Sequence, residues 1–133
     1  MSRLTPAAVN AGAPHYPRRA PIDAYGNGGF RFAGMSHRGS LLCLPSGIYG
    51  WAPAAPADLD AVDLARVFAE AADIEVLLVG AGRQLAPLGE PIRRRCRAEG
   101  IVVEAMATGA AVRTFNVLLA EDRAVAAALV AVD

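Results

Sequence analysis

Hydrophobic and polar positions alternate from Ile22 to Tyr25 and again from Gly29 to Met35, the second run setting Phe30 and Phe32 on one face and Arg31 and Ala33 on the other. A period of two is that of a half-buried strand. Gly26-Asn27-Gly28-Gly29 between the two runs supplies positive φ at little cost and predicts a hairpin turn. Ser36-His37-Arg38-Gly39 predicts a second turn, followed by Ser40 to Leu44, where consecutive apolar residues indicate a strand covered on both sides. Pro45-Ser46-Gly47 breaks that run, and Ile48 to Trp51 forms a further short extended piece.

After a proline-alanine linker the period changes. Asp58 or Asp60 can cap a helix running to about Ala72, with Ala61, Leu64, Ala65, Phe68 and Ala72 at helical spacing. Glu75 to Val79 is β-rich and ends at Gly80-Ala81-Gly82. Pro87 to Glu99 predicts a helix with Leu88, Ile92 and Cys96 on one stripe, stopped by Gly100. Ile101 to Met106 predicts a strand, Thr108 caps a helix through about Glu121, and Ala124 to Val132 predicts a last strand. Antiparallel hairpins followed by β-α-β-α-β indicate an α/β fold: a three-layer single domain around a mixed central sheet. Residues 1 to 19, with Pro6, Pro14 and Pro17 among small residues, are expected to form a flexible tail, leaving 20 to 133 as the domain.

Composition narrows the chemistry. The chain has 133 residues, 54% of them hydrophobic, and a formal net charge of zero, so it is neither disordered nor an electrostatic binder of nucleic acid. All thirteen basic residues are arginines. Without lysine there is no Schiff-base or lysine general-base chemistry. Cys43 sits in an apolar run and Cys96 on a helix stripe, so both are expected to be reduced packing thiols. With only His15 and His37 as imidazoles, and no close ligand spacing, neither a metal nor a cofactor is expected. No run approaches the ~20 apolar residues of a membrane span. The first twenty residues lack a secretory core. A cytoplasmic protein without membrane insertion is expected.

In an open α/β sheet, ligands gather beyond the carboxyl ends of parallel strands. Here those ends are Gly80-Ala81-Gly82 and Ala107-Thr108, and the helix beginning at Thr108 carries Arg113 and Asn116, three apart and therefore neighbours on its surface. Gly80, Gly82, Thr108, Arg113 and Asn116 are thus the candidate ligand-binding residues, suited to an anion or small molecule. The bland alternative weighs more: glycines serving a turn, a threonine capping a helix, and polar side chains tethering loops. Gly80-x-Gly82 is no dinucleotide fingerprint, since Leu85 stands where the third glycine belongs. Arg93-Arg94-Arg95-Cys96-Arg97 reads as a solvated helix face, with Glu90 able to pair with Arg94. A His37–Ser40 dyad lacks an oriented acid and the elbow pattern. Tyr49 and Trp51 either form a contact surface or, more in keeping with their setting, cover a sheet edge. No catalytic residue emerges.

Several segments together resemble a known family: Tyr25-Gly26-Asn27-Gly28-Gly29-Phe30-Arg31-Phe32, His37-x-Gly39-Ser40-Leu41-Leu42, Gly80-x-Gly82, and above all Glu104-x-Met106-x-Thr108-x-x-Ala111-x-Arg113-Thr114-Phe115-Asn116-Val117-Leu118. These are similar to the small conserved domain shared by the mitochondrial NADH dehydrogenase alpha-subcomplex assembly factor three and the adipogenesis-associated domain protein, and found in many short bacterial proteins of undefined function. The resemblance runs from Ile22 to the end. It implies a three-layer α/β domain and a non-catalytic protein-interaction role, with protein partners such as subunits of a respiratory or membrane-associated complex.

Overall fold

The computed structural model describes residues 14–55 and 59–133. Three short strands, β1 (Ala24–Gly26), β2 (Gly29–Phe32) and β3 (Met35–Arg38), form an antiparallel sheet in that order. A five-stranded sheet follows from β4 (Ser40–Leu44), β5 (Gly47–Trp51), β6 (Val76–Gly80), β7 (Val102–Met106) and β8 (Val125–Leu129), ordered β5-β4-β8-β6-β7. β6 pairs parallel with both β7 and β8, whereas β4 pairs antiparallel with β5 and β8, so the sheet is mixed.

One face of the large sheet is covered by α1 (Ala65–Ala69) and α2 (Glu90–Ala98), which bury Leu64, Val67, Phe68, Ile92 and Cys96 against Leu42, Leu77 and Val79. The other face carries α3 (Thr108–Ala120) and the small sheet, packing Ala111, Val112 and Phe115 with Phe30 and Phe32 against Leu41, Leu78 and Leu129. The alternation along β6, Leu77 and Val79 one way and Leu78 the other, feeds both cores. This is why β4, β6 and β8 are apolar at consecutive positions, as strands of a sheet sandwiched on both sides must be.

Differences from the sequence reading are local. The chain does not run as one strand from Gly29 to Met35. It turns at Ala33-Gly34, with φ of 50° and 75°, and the residues expected to turn, Ser36 to Arg38, lie in β3. Positive φ at both central residues matches the right-handed strand twist, as it does at Asn27-Gly28 with 53° and 78°. An alanine in that region costs about 1 kcal/mol, so nothing in the residue type announces the turn. The expected helix to Ala72 is broken into a 3-10 turn (Ala61–Leu64), α1, and a second 3-10 turn (Ala71–Asp73). Its buried positions include Val67, while Ala65 and Ala72 face solvent. Asp60 caps the start reciprocally: its carboxylate accepts from the Asp63 N–H at 3.3 Å, and its own N–H donates to Asp63 Oδ2 at 3.0 Å. Asp58 lies outside the described residues. α2 begins at Glu90 rather than Pro87, with Pro91 in its first turn, where a missing N–H is harmless.

Residues 1–13 also lie outside the described residues. From the remainder of the expected tail, the His15 N–H donates to Ile48 O at 2.8 Å and the Ile48 N–H to Tyr16 O at 2.9 Å, which lays this segment along the outer edge of β5. Among the described residues, no helix is long and apolar enough to cross a membrane.

Candidate functional site

The sheet topology opens a crevice at one end. From β6 the chain leaves toward α2 on one face, and from the adjacent β7 it leaves toward α3 on the other, so the two loops diverge above the strand ends. Gly82 and Ala107 stand where they part. A cleft of about 480 Å³ there is lined by Tyr25, Gly82, Arg83, Ala107, Gly109, Ala110, Arg113, Val132 and Asp133. A second, of about 630 Å³, extends it past Ala54, Ala55, Gln84, Leu85 and Ala86, and shares Gly82, Arg83, Val132 and Asp133 with the first.

Thr108, between the lining residues Ala107 and Gly109, holds the surrounding segments together. It is fully buried, and its hydroxyl donates to Val130 O at 2.7 Å while accepting the Gly82 N–H at 3.0 Å. The Thr108 N–H donates to Gly82 O at 2.7 Å. One residue therefore ties the β6–α2 loop, the start of α3 and the end of β8 together. Thr108 is not the cap expected from the sequence; Ala107 occupies that position and Thr108 is the first helical residue. Gly80 makes the close approach possible: a Cβ there would lie 3.0 Å from both Thr108 Cα and Leu129 Cδ2. Gly109 does the same for Tyr25, whose ring occupies the space a side chain would need.

The sequence-selected residues divide. Gly82 and Arg113 line the cleft, and Thr108 and Gly80 lie beneath it. Asn116 is turned elsewhere. Its Oδ1 accepts the Ile22 N–H at 2.9 Å and its Nδ2 donates to Ile22 O at 2.8 Å, a two-point clasp on the strand leading into β1. It borders a separate hollow with Arg19, Pro21 and Leu119. Arg113 and Asn116, neighbours on α3, thus serve different surroundings. Tyr25, Arg83 and Leu85 are not among the site residues selected from the sequence. Only the adjacency of Arg83 and Leu85 to Gly82 could have drawn notice, and Tyr25 arrives from 84 residues before Gly109.

Other chemistry-bearing groups are engaged. His37 Nε2 is 3.2 Å from Ser40 O, whereas the Ser40 hydroxyl accepts the Ala131 N–H at 3.0 Å, so imidazole and hydroxyl do not meet. Cys43 and Cys96 are buried and free. Burial pushes the Cys43 thiol up to about 12 and raises that of Cys96, against a smaller opposing pull from Arg95, which leaves both poor nucleophiles. Glu90 pairs with Arg97 at 3.1 Å rather than with Arg94, and Arg95 pairs with Glu99 at 2.9 Å while its guanidinium lies over Phe68. Tyr49 is buried beneath Arg66, and Trp51 donates to Asp63 O at 2.7 Å, so both pack on the face of the sheet that α1 covers rather than over its edge, which Tyr16 occupies.

His37 is expected to make stability depend on pH. Burial lowers its pKa below the ordinary 6.5, the neighbouring His15 ring at 4.7 Å lowers it further, and the hydrogen bond to Ser40 opposes both. The folded state then binds fewer protons than the unfolded one, so the contribution is complete above 6.5 and is lost as pH falls through the folded value. Urea midpoints should fall more for the wild type than for His37→Gln between about pH 7.5 and about pH 5.5; equal falls would remove His37 as the cause.

Residues 22–130 match the model of a family described as "Protein of unknown function (DUF498/DUF598)". The chain belongs to this family. An uncharacterised protein of Rhodobacter capsulatus is 40% identical over 116 residues, covering 87% of this chain and 88% of its own. The NADH dehydrogenase [ubiquinone] 1 alpha subcomplex assembly factor 3 of Xenopus tropicalis is 32% identical over 109 residues, which cover 82% of this family member but only 60% of the relative. The chain thus spans about 60% of the length of that curated assembly factor. A crystal structure described as an outer membrane protein of Bartonella henselae is 60% identical, covers 90% of this chain and 100% of its own, and superposes with a TM-score of 0.87.

Proposed function

We propose that this family member is a non-catalytic protein-docking domain that assists assembly of a respiratory or other membrane-associated complex from the cytoplasmic side. The observation that carries this reading is the similarity to assembly factors of NADH dehydrogenase over 82% of the chain. The hydrogen bonds of His37 and Ser40 within the fold and the burial of both cysteines support it. Affinity purification of the tagged full chain from its native cells should recover recurrent subunits of such a complex. A preparation that repeatedly contains the chain alone would reject the reading.

The cleft favours a second reading, a binding site for a small anion built on Gly80, Gly82, Thr108 and Arg113, with Asn116 engaged at Ile22 instead. Arg83 and Arg113 border the cleft, and the start of α3 adds the positive end of a helix dipole. Thermal-shift measurements with inorganic phosphate and small dicarboxylates test this, with Arg113→Ala as the control. A Tm rise abolished in the variant favours the site; no rise in the wild type removes it.

A further inference from the structure

Among the described residues four large hydrophobic side chains are strongly exposed, and two of them, Tyr25 and Leu85, border the joined clefts at the strand ends. Scattered exposed apolar residues need no explanation, but two set along one groove with a pair of arginines do. Tyrosine and arginine are enriched in protein recognition surfaces. Leu85 is 66% exposed and Tyr25 43%, the latter resting on Gly109. Arg83 and Arg113, like Arg18, Arg31, Arg38, Arg66, Arg93 and Arg94, form no ion pair among the described residues, but they alone of these border the groove. Asp133 lines the groove as well, but neither guanidinium forms an ion pair with it among the described residues, so both are open to a carboxylate from outside.

We infer that this groove docks a peptide segment of a protein partner in which acidic side chains flank an apolar one, the carboxylates meeting Arg83 and Arg113 and the apolar group resting on Leu85. This rests on the docking reading above and adds the place and the chemistry of the partner. Arginine suits the task because its fork meets a carboxylate through two parallel hydrogen bonds. The walls of Gly82, Ala54 and Ala86 leave room for another backbone to lie close.

The test uses the full chain, isotopically labelled, titrated with a short capped peptide alternating glutamate and leucine, and separately with its lysine counterpart and with anionic phospholipid vesicles. The acidic peptide should shift the amides of Gly82, Gly109 and Ala110, and Arg83→Glu with Arg113→Glu should weaken binding at least tenfold while leaving the rest of the spectrum in place. Shifts centred on the arginines of α2, equal responses to both peptides, or a response to vesicles alone would overturn the inference. Affinity purification with the same double variant separates the two levels. Partners recovered equally by wild type and variant sink the groove but leave docking intact. If the wild type recovers none, docking itself falls and the groove assignment with it.

Discussion

Thr108→Val is expected to destabilise the protein by ~2–4 kcal/mol, lowering Tm by roughly 6–15 °C. Valine matches threonine in shape, so packing is preserved and the loss isolates the hydroxyl. That hydroxyl is the partner of Val130 O and of the Gly82 N–H, both in a fully buried setting where water cannot replace it. Removing one group therefore leaves two backbone groups unsatisfied, each costing about 1–3 kcal/mol. Thr108→Ser keeps the hydroxyl and should lose much less, mainly the packing of one methyl group. Chemical denaturation of the three proteins measures this. A valine variant as stable as wild type would mean that the loop, helix and strand are held by packing rather than by this hydroxyl. Hydrogen exchange should also quicken first at Gly82 in the valine variant, since its N–H loses its acceptor.

Asn116→Ala is expected to cost about 2 kcal/mol, the second large effect. The carboxamide closes two hydrogen bonds onto Ile22, a residue 94 positions away, so the segment entering the small sheet is tied to α3 by this clasp, beside the packing of Phe30 and Phe32. The site is only part-buried, and water can partly repair the loss, which keeps the effect below that at Thr108. Asn116→Asp discriminates the mechanism. A carboxylate can still accept from the Ile22 N–H but cannot donate to Ile22 O, so it should fall between wild type and alanine near neutral pH. An aspartate variant as stable as wild type would show that the donor half of the clasp contributes nothing. Arg113→Ala, one turn away and exposed, should leave the melting temperature nearly unchanged, which separates the tether from the cleft.

Much of the fold was legible because burial on two sides leaves a mark in the sequence. Leu41 to Leu44, Leu77 to Val79 and Val125 to Leu129 are apolar without alternation, and each is a strand between two layers. Ile92 and Cys96 announce the covered face of α2, with Leu88 buried just before it, and Gly80 and Gly82 mark the strand end. Legibility failed where residue type carries no contrast. Around α1 the alanines Ala61, Ala65, Ala69, Ala71 and Ala72 suit either face, so their spacing could not place Val67 inward, and packing settled it. Ala33-Gly34 turns against the preference of alanine because β2 and β3 must pair. At the candidate site Gly82 and Arg113 could be found from topology alone, while Tyr25 and Leu85 carry no periodic signal.

The order of strands and helices from β4 onward, the two-sided sheet and the end of it where the crevice opens were legible in the sequence itself, since hydrophobic period and glycine placement act locally along the chain. The residues of β3, by contrast, read as a turn. Which polar side chains face that crevice was decided only in three dimensions. Asn116 and Arg113 are one helical turn apart, yet one clasps Ile22 and the other borders the cleft. A side chain's partner depends on which distant segment packs beside it, and that is a property of the assembled layers rather than of spacing.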